Sequence, residues 1–336
     1  MTNIGIIGLG FMGRTHYEAW QKLGDAQVIM VADQNPRRAA GDLSGGWGNL
    51  GTGGITQLPM DRIRGVTDFH ELIDDPHVDV IDICVPTPGH VELALRALAS
   101  GKHVLCEKPL ALSSADARRI GAAAAGAGGF FMPCMCVRFW PQWEWLKSAV
   151  VEQRYGKVKS AVFRRLGSMP SGWFKEGKLS GGALFDLHVH DVDFIYHLFG
   201  KPAGVFSRGY SKTSGEIDHI VTQYLFDDYP LVIAEGGWCM ADGYPFAAKY
   251  TVNFERGTAD YDSGRTENPL IFYADGKAEQ IAVSEGDGFS GELSYFLDCV
   301  KTGKKPTRVT ADDAVAGLTI IEAEKKSVET GKVQPL

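Results

Sequence analysis

Nothing in this chain suggests a disulfide frame or a zinc knot. Its six cysteines stand at positions 84, 106, 134, 136, 239 and 299, with no C-x-x-C pair and no zinc-ligand spacing. In 336 residues they read as reduced thiols, mostly buried as small hydrophobes. A basic excess is also lacking: the net charge is −7 and the acidic side chains form no block or tail, which argues against nucleic acid or an anionic membrane as a partner. The first apolar run is too short for a secretory signal and has neither a basic flank nor a small-residue cleavage site, so a cytoplasmic location is expected. Long hydrophobic runs are missing too. The one candidate span, Ile120 to Val137, is broken by Gly121, Gly126, Gly128, Gly129 and Pro133 and reads as a helix end, a glycine turn and a strand from Phe130. No internal repeat is visible.

What is present is an ordinary globular composition, 44% hydrophobic and 22% charged, long enough for roughly two domains. It is rich in glycine, and glycine is placed most tellingly at the start. The run Asn3-Ile4-Gly5-Ile6-Ile7 leads into Gly8-Leu9-Gly10-Phe11-Met12-Gly13. A helix-compatible segment from Arg14 to Leu23 follows, and a second apolar run, Val28 to Ala32, ends in Asp33. Gly8 permits a tight turn, Gly10 lets the backbone approach a pyrophosphate, and Gly13 allows close helix–strand packing; the helix N-terminus then holds the phosphates. Strand, glycines, helix, strand and acidic residue in this order specify a nucleotide-binding Rossmann unit. Asp33 favours NAD, because a carboxylate accepts from a ribose 2′-hydroxyl and repels a 2′-phosphate. Arg37 and Arg38 soften that preference, and NADP is the alternative.

Up to about residue 130, strand and helix patterns alternate, as in a mostly parallel, doubly wound sheet. Apolar runs Val80 to Val85 and His103 to Cys106, a helical pattern through Val91 to Ala99, and a helix capped near Ser113 or Ser114 carry the pattern. Gly41 to Gly54 holds seven glycines, which shortens the second crossover helix and inserts a loop. From 131 to 336 the pattern changes to α+β. A helix runs to about Gln153. Strands are expected at Val158–Arg165, Gly204–Tyr210, His219–Phe226, Leu231–Trp238 and Lys249–Phe254, joined by turns as in an antiparallel sheet. One helix is expected over Gly182–Phe199 and another over Thr310–Thr330, with Thr310 as cap.

Two constellations carry the chemistry. Pro86-Thr87-Pro88-Gly89-His90 and Glu107-Lys108-Pro109 each follow a buried strand, where ligands bind in doubly wound sheets. Lys108, just before a proline that fixes its backbone, would face the nicotinamide end of a dinucleotide. In the segment Gly181 to His197, Asp186, His190, Asp193 and His197 fall on one helical stripe, which is costly unless it lines a cleft or is hydrogen-bonded. His and Asp one turn apart suit acid–base work. His188 and His190 would point about 200° apart on a helix and cannot share an ion, so no metal is expected.

These motifs, with Arg138-Phe139-Trp140-Pro141 and the C-terminal Lys305-Pro306…Val309-Thr310-Ala311-Asp312-Asp313-Ala314, resemble the glucose–fructose oxidoreductase/inositol dehydrogenase/MocA family over nearly the whole length. The resemblance implies an N-terminal NAD(P) domain and a C-terminal domain with a large open sheet used to form homodimers or homotetramers. It implies a catalytic set at Lys108, Asp186 and His190 and oxidation or reduction of a secondary alcohol of a sugar, cyclitol or related polyol. The family's usual Thr-Pro-Asn-x-x-His loop is replaced here by Thr87-Pro88-Gly89-His90. Cofactor contacts are expected from Gly8, Gly10, Phe11, Met12, Gly13, Asp33, Pro86, Thr87, His90, Glu107 and Lys108. Substrate contacts are expected from Lys108, Arg138, Trp173, Asp186 and His190.

In the expected mechanism His190 takes the hydroxyl proton, Lys108 stabilises the developing alkoxide, and Asp186 holds Lys108 or a neighbouring hydroxyl. Two other classes remain open: an NAD-dependent glycoside hydrolase with transient oxidation, and a nucleotide-sensing regulator without catalysis. Trp140, Trp143, Trp173, Tyr210 and Trp238 offer a sugar-stacking platform or core packing, and Arg138, Arg164 and Arg165 an acid-binding group or surface pairing.

Overall fold

The computed structural model describes residues 1–44, 54–227 and 231–336, in two compact units. The first comprises Met1–Phe139 and Asp287–Val315, and the second Trp140–Gly286 and Ala316–Leu336. The first unit is therefore not one continuous segment ending near 130, because a later stretch of chain returns to it.

In the first unit, β1 (Thr2–Ile7), β2 (Ala26–Ala32), β3 (Arg64–Val66), β4 (Val80–Ile83), β5 (His103–Cys106) and β6 (Phe131–Pro133) form a parallel sheet in the order β3-β2-β1-β4-β5-β6. Helices α1 (Phe11–Gln21), α2 (Pro36–Ala39), α3 (Phe69–Ile73), α4 (His90–Ala99) and α5 (Ser114–Gly126) make the crossovers. The strands run apolar and buried, as strands covered on both faces must. The strand order reverses between β1 and β4, and ligands bind at such a switch point, beyond the strands' C-terminal ends. The expected caps form: Ser113 accepts the Asp116 N–H at 3.1 Å. The second crossover helix is a single turn, α2, as the glycine-rich sequence after it foretold. Most of the Gly41–Gly54 loop, residues 45–53, lies outside the described residues.

In the second unit α6 (Pro141–Val151) precedes β7 (Val158–Ser168), and short helices α7 (Gly177–Ser180) and α8 (Gly182–Asp186) lead into α9 (Val189–Phe199). Then come β8 (Gly204–Tyr210), β9 (His219–Leu225), β10 (Leu231–Met240), β11 (Ala247–Phe254), β12 (Gly257–Asp262), β13 (Leu270–Ala274), β14 (Lys277–Gln280) and β15 (Gln334–Pro335). They pair in the order β14-β13-β12-β11-β7-β10-β9-β8-β15, antiparallel except for β7 with β10. The period-2 pattern sorts their side chains. Ala161, Phe163 and Arg165 of β7 are buried, while Val162 and Arg164 are exposed. The buried face packs against α9 and an aromatic cluster around Trp143, which meets Phe194 edge-on at 4.7 Å and Tyr250 at 5.2 Å. The short strands β3, β12, β13, β14 and β15 were not anticipated; runs of two to six residues give little alternation to read.

Helix α10 (Gly288–Thr302), also not anticipated, packs on α1 in the first unit, where Lys22 pairs with Asp287 at 3.2 Å and Lys301 with Asp25. Helix α11 (Ala311–Thr330) opens with a reciprocal cap. The Thr310 N–H donates to Asp313 at 2.8 Å, and the Asp313 N–H donates to the Thr310 hydroxyl at 3.2 Å. Thr310→Ala removes that cap and is expected to lower stability by about 1 kcal/mol, read as a lower denaturant midpoint at unchanged slope.

Candidate active site

The glycine loop has the geometry a pyrophosphate needs. Gly8 has φ +92°, and a Cβ on it would lie 2.8 Å from the Cys84 backbone; one on Gly13 would lie 1.8 Å from the Gly8 carbonyl oxygen. Neither position admits a side chain. Gly10 faces open space, with nothing within 4 Å of where a Cβ would stand. The first turn of α1 has no side-chain cap and no acidic residue, so its N–H groups and dipole present positive charge to that space. Asp33, buried at the end of β2, accepts the Leu9 N–H and the Asn35 N–H, each at 2.8 Å, and is thereby locked against the glycine loop. Arg38 lies 3.8 Å from it, whereas Arg37 pairs with Asp42 at 2.6 Å. These residues fit a dinucleotide whose ribose diol meets Asp33.

At the end of β4, Pro86 is exposed and Thr87 buried. His90 is buried, and its two ring nitrogens face the Pro109 carbonyl at 2.9 Å and the Val85 carbonyl at 2.8 Å. Burial pushes its pKa down despite those two acceptors. The ring therefore ties the turn after β4 to the one after β5, which is a positioning contact. At the end of β5, Glu107 is buried and accepts the Lys108 N–H at 2.9 Å; Lys108 is half-buried, and the Lys108–Pro109 peptide is cis.

Behind Glu107 lies a group of buried side chains that sequence reasoning missed. The His16 Nδ1 lies 3.0 Å from Asp82, which also accepts the Trp20 indole N–H at 2.8 Å. On its other side the His16 Nε2 lies 3.0 Å from Glu107. Glu292 of α10 is fully buried in the same region. Asp82, a charge inside an apolar parallel strand, was the readable signal.

In the second unit the expected helix over 182–199 is broken at Leu187-His188, where the Leu187 and His188 N–H groups both turn to the Ala183 carbonyl, at 3.0 and 2.8 Å. Asp186 ends α8, and His190, Asp193 and His197 share α9. Asp186 and Asp193 are buried; His190 and His197 are half-buried. His188 is fully buried and points elsewhere. Its Nε2 faces Glu324 at 3.3 Å and the Tyr224 hydroxyl at 3.2 Å, and Tyr224 donates to Glu324 at 2.7 Å. Burial opposes its protonation, but the Glu324 charge prevails and its pKa rises.

The cationic and aromatic side chains singled out in the sequence have partners inside their own units. Arg138 is buried, donates to the Arg308 carbonyl at 2.8 Å and pairs with Asp313 at 3.4 Å. Arg165 makes a two-pronged bond to buried Asp191 at 3.0 and 3.1 Å, and Arg164 pairs with Glu235 at 2.7 Å. Trp143 and Trp238 are core residues, the latter donating to Asp218 at 2.8 Å. Trp173 is half-buried and stacked on Phe174 at 4.3 Å.

A parallel sheet in this order, with an uncapped glycine-lined helix start and a locked carboxylate at the end of β2, defines a nicotinamide-dinucleotide-binding oxidoreductase domain. Comparison with known proteins agrees. Residues 2–134 match the oxidoreductase family with NAD-binding Rossmann fold, and residues 143–260 match the GFO/IDH/MocA C-terminal domain. The chain belongs to the GFO/IDH/MocA oxidoreductase family and is an NAD(P)-dependent enzyme. It is similar to myo-inositol 2-dehydrogenase of Thermotoga maritima, 28% identical with 97% of this chain and 96% of the relative covered. It is also similar to trans-1,2-dihydrobenzene-1,2-diol dehydrogenase of Sus scrofa, 27% identical with 80% and 83% covered. A solved levoglucosan dehydrogenase in complex with NADH and levoglucosan superposes with TM-score 0.86 at 20% identity, covering 99% of both chains. Among the described residues no helix is long and apolar enough to cross a membrane.

If Asp33 selects the cofactor by charge, Asp33→Asn is expected to raise the ratio of kcat/KM for NADP over NAD about tenfold, equivalent to ~1.4 kcal/mol. Steady-state kinetics with both cofactors measure it; an unmoved ratio means Asp33 does not face the ribose.

Proposed function

We propose that this enzyme oxidises a secondary hydroxyl on a six-membered ring bearing a neighbouring hydroxyl, a cyclitol or sugar, and passes the hydride to NAD. The observation that carries the reading is the place of Lys108. It follows β5, next to β4 at the reversal of strand order, on a loop held by Glu107 and His90. Support for the ring comes from the relatives: an inositol and a dihydrobenzenediol are both six-membered carbocycles with adjacent hydroxyls.

NAD, when bound, supplies the hydride acceptor, so the protein's task is alignment and proton handling. Lys108 holds the reacting oxygen and offsets its negative charge as the carbon–hydrogen bond weakens. His190 accepts the hydroxyl proton, and Asp186 accepts a hydrogen bond from the neighbouring hydroxyl, fixing which carbon reacts. Two-electron bookkeeping closes: the carbinol loses a hydride to the nicotinamide and a proton to His190. Phe11, Met12, Pro86 and Thr87 line the cofactor in this reading, and Trp173 offers a face to the ring.

Lys108→Ala and His190→Ala are each expected to lower kcat by at least about a hundredfold with NADH binding retained, as loss of charge stabilisation or of a general base does. Screening cyclitols, sugars and cyclic diols for NADH formation, with NADH binding followed by fluorescence titration, decides it. Full activity in both variants, or sugar release from a glycoside without net NADH, would remove the assignment.

We also propose that the enzyme is a homodimer or homotetramer joined through the second unit's sheet. One face of β7, β9 and β10 exposes Val162, Val221 and Leu231 among paired charges such as Arg164–Glu235. Light scattering is expected to return two or four chain masses, and Val162→Arg to lower that multiple; a single chain mass for the parent protein would refute it.

A further inference from the structure

The buried group behind Glu107 holds more charge than its surroundings can neutralise. Asp82 on β4, Glu107 after β5 and Glu292 on α10 supply three carboxylates, and His16 on α1 is the one basic side chain among them, each at most 5% exposed. The thiols facing them, Cys84, Cys106 and Cys134, are kept neutral by burial and by the carboxylates themselves. One oxygen each of Glu107 and Glu292, a nitrogen of His16 and the Cys134 sulfur all lie within 4.8 Å of one another. Both Glu292 oxygens are buried without a hydrogen-bond partner, and one of them lies in this group. Two carboxylates that close in a dry interior cannot both be ionised.

The partners already made show which one keeps its charge. Glu107 accepts the Lys108 N–H at 2.9 Å and stands 3.0 Å from the His16 Nε2, at ion-pair distance although the N–H is not aimed straight at it. Asp82 accepts from Trp20 and faces the His16 Nδ1. Glu292 has no charged donor, and the Met135 backbone N–H near it is not aligned for a hydrogen bond, so it is the acid that holds the proton. Its carboxyl is pushed well above the usual range, by burial first and by the Glu107 charge second. Burial, the largest single effect, works against the His16 imidazolium, but Asp82 and Cys84 together outweigh it and raise that pKa. A cation in place of the proton is the less favoured reading, since a metal ligand must be deprotonated and burial pushes the Cys134 thiol well above its usual pKa.

We propose that Glu292, as a neutral acid turned toward Glu107, and His16, as an imidazolium between Asp82 and Glu107, form a buried clamp that fixes the Lys108 backbone, making both positioning residues for the reacting lysine. The positioning role rests on the catalytic reading of Lys108 given above; the shared proton does not.

Glutamine reproduces the shape and donor of a neutral acid but cannot ionise. Glu292 in the unfolded chain releases its proton above its ordinary pKa, while the folded protein keeps it, so its contribution to stability is lost as pH rises through the raised folded value. Denaturant midpoints of the intact protein from about pH 5 to about pH 9 should therefore fall in the parent and fall less in Glu292→Gln. Glu292→Leu, which removes the donor, is expected to lower kcat about tenfold with the NADH dissociation constant within about twofold, and Glu292→Gln to restore most of that loss. An unchanged pH slope in Glu292→Gln, a Glu292→Gln protein as impaired as Glu292→Leu, or stoichiometric zinc in the purified parent that Glu292→Gln lacks would each overturn the proposal. Should Lys108→Ala remain active, the catalytic reading fails while the pH slopes still report on the proton.

Discussion

A parallel sheet covered on both faces has no water to offer a charge, and every carboxylate placed inside it has to be answered by a donor, a cation or a proton. The first unit is organised around that constraint. Asp33 can sit at the end of β2 because two backbone N–H groups meet its two oxygens. Those same bonds hold the glycine loop in register with β2. Asp82 is tolerated on β4 because α1 brings His16 and Trp20 to it, and that in turn needs α1 close to the sheet. The closeness is set by Gly13, where one methyl would collide with the Gly8 carbonyl. The motif that admits the cofactor and the packing that buries the polar cluster are thus one arrangement.

The second unit answers the same demand with different groups. Asp191 on α9 meets Arg165 on β7, and Glu324 on α11 meets His188 and Tyr224. Both pairs lie on the buried face of the nine-stranded sheet and pin the segment around the break at Leu187-His188. Fixing that break matters because Asp186 lies before it and His190 just after it. An unbroken helix would place the two groups by helical geometry alone; here their placement is set by which buried partner His188 finds.

How much of this was legible depended on whether the information was local. The glycine motif, the strand–helix alternation, the Ser113 and Thr310 caps and the long strands of the second unit follow from short-range rules, and each could be read from neighbouring residues. Helix α10 is amphipathic enough to have been recognised, but its sequence, beginning Gly288-Phe289-Ser290-Gly291, starts with poor helix formers. What no local rule supplies is partner identity. Arg138 was expected to touch substrate, and Arg165 either to bind an acidic group or to pair with a carboxylate, because a cationic side chain near a motif has two uses. Only the fold shows that Arg138 meets Arg308 and Asp313, and Arg165 meets Asp191. His16, Asp82 and Glu292 are far apart in sequence and became a group only when three elements converged.

A reacting lysine gains most from a backbone that does not move when charge appears beside it. Lys108, the reacting group in the function proposed above, has such a backbone: its own N–H is taken by Glu107, and the carbonyl of the following proline faces His90. Both partners are buried. The net charge behind the lysine then matters as much as the hydrogen bonds. With all three carboxylates ionised and His16 charged the group would carry two net negative charges, whereas the proton proposed on Glu292 leaves one.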